Sequence, residues 1–242
     1  SVYFNGQSKN VIYLAKGDFS LTAGLLSTFS VINAITRWGS TRVQSMYLPV
    51  FAEDTDVTAT FAFQEATPAF SPYQLKTIAT ETNGQFVITG EKTLVVLGDT
   101  ADVFLVSAEF NGQPDIFVVQ SNESIAIKAN PAMGLKATET ATLQFNQTPA
   151  LRLGDADFDY TAFVDLGNLM WCAMAIGTCE AIKAYCIKYA NERTAFGEPI
   201  SHRQSVAFMI ADMAIEIDAM RMLVLNAASL AETGKPFHRE AY

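Results

Sequence analysis

The hydrophobic period of this chain changes twice, and that switch restricts the fold more than any other feature of the sequence. Towards both ends apolar residues recur every three or four positions. Between about Asp56 and Leu153 they alternate with polar ones. A period near 3.6 turns one face of a helix inward, and a period of two turns one face of a strand inward. Helices, then a block of strands, then long helices indicate an α+β fold rather than a wound parallel sheet.

In the first zone Asp18 and Ser20 are N-cap candidates before Leu21, Leu25, Leu26, Phe29 and Ile32, which keep a helical spacing. A second short helix is expected after Gly39-Ser40, stopping near Leu48-Pro49, and the first ten residues show no clear period. In the middle zone Thr60 to Phe63 reads as a strand. Lys76 to Ala79 and Gln85 to Thr89 flank Asn83-Gly84, a hairpin signal. Val103 to Val106 and Ile116 to Val119 flank Asn111-Gly112, read as a hairpin with a longer loop. Ser124 to Ala129 and Thr140 to Phe145 add further strands. Short strands with turns between them suggest a small barrel or sandwich. In the last zone one helix is predicted from about Phe163 to Arg193 and another from about Ser201 to Ala231.

Charge and motif content narrow the function classes. A formal net charge of −9 and a pI near 4.7 speak against a nucleic-acid or anionic-membrane surface. No unbroken apolar run reaches the roughly 20 residues of a membrane span, and the start carries no secretory pattern. Cys172, Cys179 and Cys186 lie seven apart on one helix, too distant for a disulfide, and read as small buried or half-buried residues in a reducing compartment. That compartment is expected to be the cytoplasm, or the mitochondrial matrix in a eukaryote. His202 and His238 do not pair with the cysteines at zinc spacing, so no metal is expected. G-x-G-x-x-G, Walker A and G-x-S-x-G patterns are absent.

Five segments in order resemble the acyl-CoA dehydrogenase family. They are Trp38-Gly39-Ser40 through Gln44, Tyr47, Leu48 and Pro49; Thr89-Gly90-Glu91-Lys92; Ala101-Asp102 with the strand after it; Met133-Gly134-Leu135-Lys136 with Thr140 to Phe145; and Arg193-x-x-Phe196-Gly197-x-Pro199-Ile200 with Gln204 and Ala211-Asp212-Met213. The last is the most specific. The resemblance implies a helical N-terminal part over 1–55, a central antiparallel β-barrel domain over 56–158 and an incomplete long-helix bundle over 159–242. It implies FAD bound between the barrel and helices of a neighbouring subunit, hence a homo- or hetero-oligomer, a dimer or tetramer. It also implies α,β-dehydrogenation of an acyl-CoA, with an electron-transfer flavoprotein as acceptor.

Carried over residue by residue, Arg193 falls on the arginine that meets the FAD diphosphate, which a guanidinium fork suits, with Phe196 and Gln204 in register beside it. The alternative reading of Arg193 is a solvated charge near a helix C-terminus. Phe63, Gln64 and Glu65 align with the strand end whose following loop cradles the flavin. In that loop Ala69 replaces a glycine and Phe70 a small hydroxyl residue. Leu94 and Val96 occupy the flavin-stacking segment, where the family has an aromatic and a hydroxyl; the plainer reading of Leu94 to Leu97 is a buried strand. The substrate side would fall on Phe70, Asp165 and Asn168, with Asn168 at an arginine position and Gly167 where some branches carry the catalytic glutamate. The catalytic base is left unassigned. A working dehydrogenase, a half-site subunit that completes a partner's FAD site, and a scaffold on the same fold all stay open, with a flavin monooxygenase as a minor fourth.

Overall fold

The computed structural model describes residues 3–155 and 157–241, with side chains from residue 8 onward. Three helices lead the chain: α1 (Tyr3–Gly17), α2 (Phe19–Trp38) and α3 (Thr41–Glu53). Seven strands follow: β1 (Ala59–Ala62), β2 (Ile78–Thr82), β3 (Gln85–Val96), β4 (Val103–Phe110), β5 (Gln113–Gln120), β6 (Ile125–Asn130) and β7 (Thr140–Arg152). Then come α4 (Tyr160–Glu192), the two-residue strands β8 (Thr194–Ala195) and β9 (Glu198–Pro199), α5 (Gln204–Glu232) and α6 (His238–Ala241). The chain divides into two compact units, one of Ala23–Tyr160 and one of Ser1–Thr22 with Thr161–Tyr242.

α1 occupies a segment whose first residues show no clear period. Its buried stripe is Ser8, Val11, Ile12 and Ala15, a helical spacing that starts on a small polar residue and so hides from a hydrophobicity pattern. Of the two cap candidates Asp18 caps α2, its carboxylate accepting the Leu21 N–H at 2.8 Å. Ser40 caps α3, which runs on past Pro49 to Glu53. A proline inside a helix forfeits one hydrogen bond but does not forbid a further turn.

In the unit Ala23–Tyr160 five strands close a barrel. β4 pairs with β5, β5 with β7, β7 with β3, β3 with β2, and β2 returns to β4 through Ile78 and Glu109. Closure removes open sheet edges. β6 shares one edge of β7 with β5, and β1 shares one edge of β4 with β2. Adjacent pairs are antiparallel except β1 and β2 against β4, which are parallel. Both Asn-Gly pairs form two-residue turns: Thr82 faces Gln85 and Phe110 faces Gln113. The second turn is tighter than the sequence suggests, because Asn111 (φ 53°) and Gly112 (φ 80°) both take the left-handed region that a type I′ turn needs. Phe104, Phe117, Leu143, Phe145 and Ile88 fill the core, and Phe86 and Phe110 pack against it.

In the helical unit α1, α4 and α5 pack together. At Gly177 of α4 an added Cβ would lie 2.2 Å from the Ile12 carbonyl oxygen, so the backbones of α4 and α1 meet without a side chain between them. Thr178 Oγ1 donates to the Ala15 carbonyl beside that contact. Arg221 of α5 pairs with Glu180 of α4. α2 and α4 are long and apolar enough to cross a membrane by length and mean hydropathy, although polar residues interrupt their apolar runs. α4 buries an inward stripe of Leu166, Leu169, Ala173 and Ile176, as core helices do, whereas α2 buries Val31, Ala34 and Ile35 but leaves Leu21, Leu25 and Phe29 exposed. Cys172 is exposed rather than buried, while Cys179 and Cys186 are half-buried.

Candidate functional site

The residues singled out from the sequence fall into one group in the barrel unit and two in the helical unit, at the start of α4 and beyond its end. In the barrel unit the chain leaves β1 as Phe63-Gln64-Glu65, beside the middle of β3. The Gln64 carbonyl accepts the Thr93 N–H at 2.8 Å, which fixes the two segments side by side. Glu65 is buried, and three donors occupy its carboxylate: Lys92 Nζ at 2.8 Å and Thr77 N–H at 3.0 Å on one oxygen, Lys76 N–H at 2.8 Å on the other. Lys92 is wholly buried, and its ammonium also donates to the Phe63 carbonyl at 3.1 Å and Ser107 Oγ at 2.9 Å. Burial pushes the Lys92 ammonium down to about 8, against the pull of Glu65. Burial alone would raise the Glu65 carboxyl, but Lys92 and the two backbone N–H groups hold it below the usual carboxylate range.

Beyond Glu65 a loop of residues 66–75 returns to Lys76. Ala69 stands at φ 51°, so the left-handed backbone that suits glycine is kept although a Cβ is present. Phe70 is half-buried. Tyr160 donates its hydroxyl to the Pro72 carbonyl at 2.7 Å, stacks on Phe63 (centroids 6.3 Å apart) and meets Tyr73 edge-on at 5.9 Å. Burial raises the Tyr160 phenol far above its ordinary value, so it stays a neutral donor.

Leu94 to Leu97 is not a uniformly buried strand. The register shifts between Lys92 and Val95, and Leu94 sits in that bulge at φ 53° with 54% of its surface exposed. Val95 and Val96 are buried, and Leu97 follows the strand end at φ 54°. A bulge turns one side chain out of the alternation, which a period count cannot foresee. Thr93 directs its hydroxyl to that of Thr142 at 3.0 Å.

In the helical unit Arg193 follows the last turn of α4, its N–H bonded to the Tyr189 carbonyl at 2.8 Å and its carbonyl to the Ile200 N–H at 2.9 Å. Between these bonds β8 and β9 form a minimal hairpin across Phe196 (φ 58°) and Gly197 (φ 87°). The side chains of Arg193 and Gln204 are exposed, and Phe196 is 94% exposed. Arg203 lies over the Phe196 ring at 4.9 Å from its centroid, a cation–π contact. One end of this unit thus presents guanidinium, amide and aromatic groups together.

At the start of α4 the Asp165 carboxylate is buried and bound to His238 Nδ1 at 2.9 and 3.0 Å, which ties α6 to α4. Gly167 is exposed and Asn168 half-buried. The sequence alone does not single out Arg203, Tyr160 or Lys92 as site residues. Lys92 had a signal: a lysine entering an apolar stretch, with a glutamate at the end of another strand.

Residues 60–148 match the family model for the acyl-CoA dehydrogenase middle domain, and residues 160–242 match that for the acyl-CoA dehydrogenase C-terminal domain. The chain belongs to the acyl-CoA dehydrogenase family. It is 30% identical over 222 residues to an acyl-CoA dehydrogenase of Bacillus subtilis, covering 86% of this chain and 58% of that protein. It is 30% identical over 243 residues to the short-chain specific acyl-CoA dehydrogenase of Megasphaera elsdenii, covering 94% and 63%. The solved butyryl-CoA dehydrogenase of Megasphaera elsdenii superposes with a TM-score of 0.81 at 29% identity over 96% of this chain and 64% of that one. PigA, solved with FAD and proline, shares the fold with a TM-score of 0.86 at 20% identity, over 98% and 66%. The chain spans about three-fifths of the length of the curated relatives it matches. The acyl-CoA dehydrogenase fold accounts for both the barrel and the long helices.

Proposed function

We propose that the protein is an FAD-dependent acyl-CoA dehydrogenase, dehydrogenating an acyl-CoA thioester between its α and β carbons, with Arg193, Phe196 and Gln204 on the diphosphate side of the cofactor. Phe196 carries this reading. A large aromatic residue holds a left-handed turn position at a cost of roughly 1–2 kcal/mol, and its ring is 94% exposed. So exposed a ring gains the fold little beyond its contact with Arg203, and the strain suits an aromatic group held out toward a ligand.

The donor set fits the cofactor. The Arg193 fork matches paired phosphate oxygens, and the Gln204 amide at the start of α5 adds a donor near the positive end of that helix. When bound, FAD supplies the hydride acceptor of the dehydrogenation. On the barrel side, the backbone of Phe63 to Glu65 and the bulge at Thr93 and Leu94, just before Val96, lie together and would face the ring system. In the family the helical set serves a neighbouring subunit's cofactor, so the protein works as a homo- or hetero-oligomer. Its acceptor is an electron-transfer flavoprotein. The free thiols accord with a reducing compartment, cytoplasm or mitochondrial matrix. The proton-abstracting carboxylate is assigned to no residue here: Asp165 is committed to His238, and Gly167 and Asn168 carry no acid.

Phe70 and Leu94 favour a second reading. Phe70 puts bulk where the family has a small hydroxyl and Leu94 lacks the family's stacking aromatic, as in a subunit that completes a partner's FAD site without holding its own. The visible spectrum of the purified protein separates the two. Flavin bands bleached by an acyl-CoA support the dehydrogenase. A colourless protein that gains flavin only with a partner supports the half-site subunit. A protein colourless with both FAD and partner added sinks both.

A further inference from the structure

We propose that the buried Lys92–Glu65 pair is a positioning device that sets the shape of the flavin-side loop, residues 66–75, and of the bulge at Leu94, so that their backbones fit the cofactor's ring system. The inference rests on the FAD reading above and adds to it residues that do not themselves touch the flavin.

The wiring is specific. The Lys92 ammonium has three N–H bonds and three acceptors, Glu65 Oε1, Ser107 Oγ and the Phe63 carbonyl. Ser107 Oγ in turn reaches the same Phe63 carbonyl at 3.3 Å. The Glu65 carboxylate spans the neck of the loop, since Lys76 and Thr77, whose N–H groups it accepts, are the first residues after it. The neck rests on a close contact: a Cβ on Gly90 would lie 2.6 Å from Thr77 Cα, so β3 reaches the neck only as glycine. At the loop's other side Tyr160 holds the Pro72 carbonyl. Two charges and a hydroxyl therefore tie the end of β1, the middle of β3, β4 and the start of β2 to one point.

Stability does not explain such a pair, because well-packed apolar residues in place of a buried ion pair are often as stable or more so. What apolar residues lack is direction. The two segments fixed by this pair carry Ala69 and Leu94, both in the left-handed region without being glycine. Strained backbone persists where surrounding structure over-determines it, and it clusters at ligand sites. The Lys92–Glu65 pair supplies that over-determination on the loop side and on the bulge side at once.

The test titrates FAD against the wild-type protein, Lys92→Met and the double variant Lys92→Met/Glu65→Leu, reading flavin fluorescence quenching beside thermal unfolding. Positioning predicts that Lys92→Met binds FAD at least about tenfold more weakly. The double variant recovers thermal stability, since no charge is left stranded, but its affinity stays as weak as that of Lys92→Met. Affinity that returns with stability makes the pair merely structural and overturns the inference while leaving the FAD reading intact, as does wild-type affinity in Lys92→Met. A wild-type protein that takes up no FAD, alone or with its partner subunit, overturns the FAD reading and this inference with it.

Discussion

Replacing Lys92 by methionine tests whether burial or attraction dominates at the centre of the barrel unit. The substitution keeps the side-chain length and removes an ammonium that is wholly buried and bound to three acceptors. Glu65 is left buried with only the N–H groups of Lys76 and Thr77. Stranding one member of a buried pair costs about 3–5 kcal/mol, which is the expected loss at pH 7. The pH dependence is the sharper test. In the fold Lys92 sits at about 8 against an ordinary value of 10.5. Between those values the unfolded chain binds the proton more than the native one does. Stability contributed by this group therefore rises with pH in that window, by about 3 kcal/mol across it. The Met variant has no such group, so the gap in unfolding free energy between wild type and variant should widen from pH 7 to pH 10.

Urea unfolding in a Trp171→Phe background reports on the barrel unit alone, since Trp38 is then the single tryptophan and packs edge-on to Phe158 at 6.3 Å. A gap that narrows with rising pH would mean that Glu65 holds the ammonium above its ordinary value, so that attraction outweighs burial. A gap below 1 kcal/mol at pH 7 would mean that the carboxylate finds other partners. Either result refutes the reasoning.

Three further outcomes are expected. Arg193→Ala should weaken FAD binding at least about tenfold, the worth of one charged hydrogen bond, and leave the melting temperature nearly unchanged; unaltered affinity in a flavin titration returns Arg193 to a solvated charge. Phe196→Asn should move stability and binding in opposite directions, because asparagine accepts the left-handed turn with less strain while the ring is lost; calorimetric melting and FAD titration should show a gain of up to about 1 kcal/mol beside weaker binding. Gly177→Ala should cost more than about 2 kcal/mol, since its Cβ would meet the Ile12 carbonyl at 2.2 Å, whereas Gly167→Ala, with open space around it, should stabilise α4 by up to about 1 kcal/mol in the same thermal unfolding series.

The sequence carries the elements of this fold where local physics decides them. Alternation and the two Asn-Gly turns locate the strands, and Gly197 with Pro199 places the end of the long helix. Ser8 shows the limit: a buried serine in an apolar stripe breaks the pattern, so α1 goes unseen until tertiary packing displays it. Barrel closure is equally non-local. The joins of β2 to β4 and β5 to β7 rest on one and two residue pairs, too few to leave any trace in composition.

The candidate site divides along the same line. Arg193, Phe196 and Gln204 stand on contiguous chain, so their spacing alone brings them to one end of the helical unit. Glu65, Lys92 and Ser107 are separated by 27 and 15 residues and meet only once β1, β3 and β4 are in register. Glu65 reads from the sequence as a cofactor contact because it stands at the end of the strand that the family resemblance puts beside the flavin. In the fold its carboxylate oxygens are filled by Lys92, Lys76 and Thr77, while Leu94 nearby is exposed. A flavin-side surface built from backbone depends less on side-chain identity than on what fixes the backbone's shape. Ala69 holds at φ 51° the conformation that a glycine would take freely. Side chains on such a surface can therefore depart from the family pattern while the path beneath them persists, provided that the buried pair holding the path is kept.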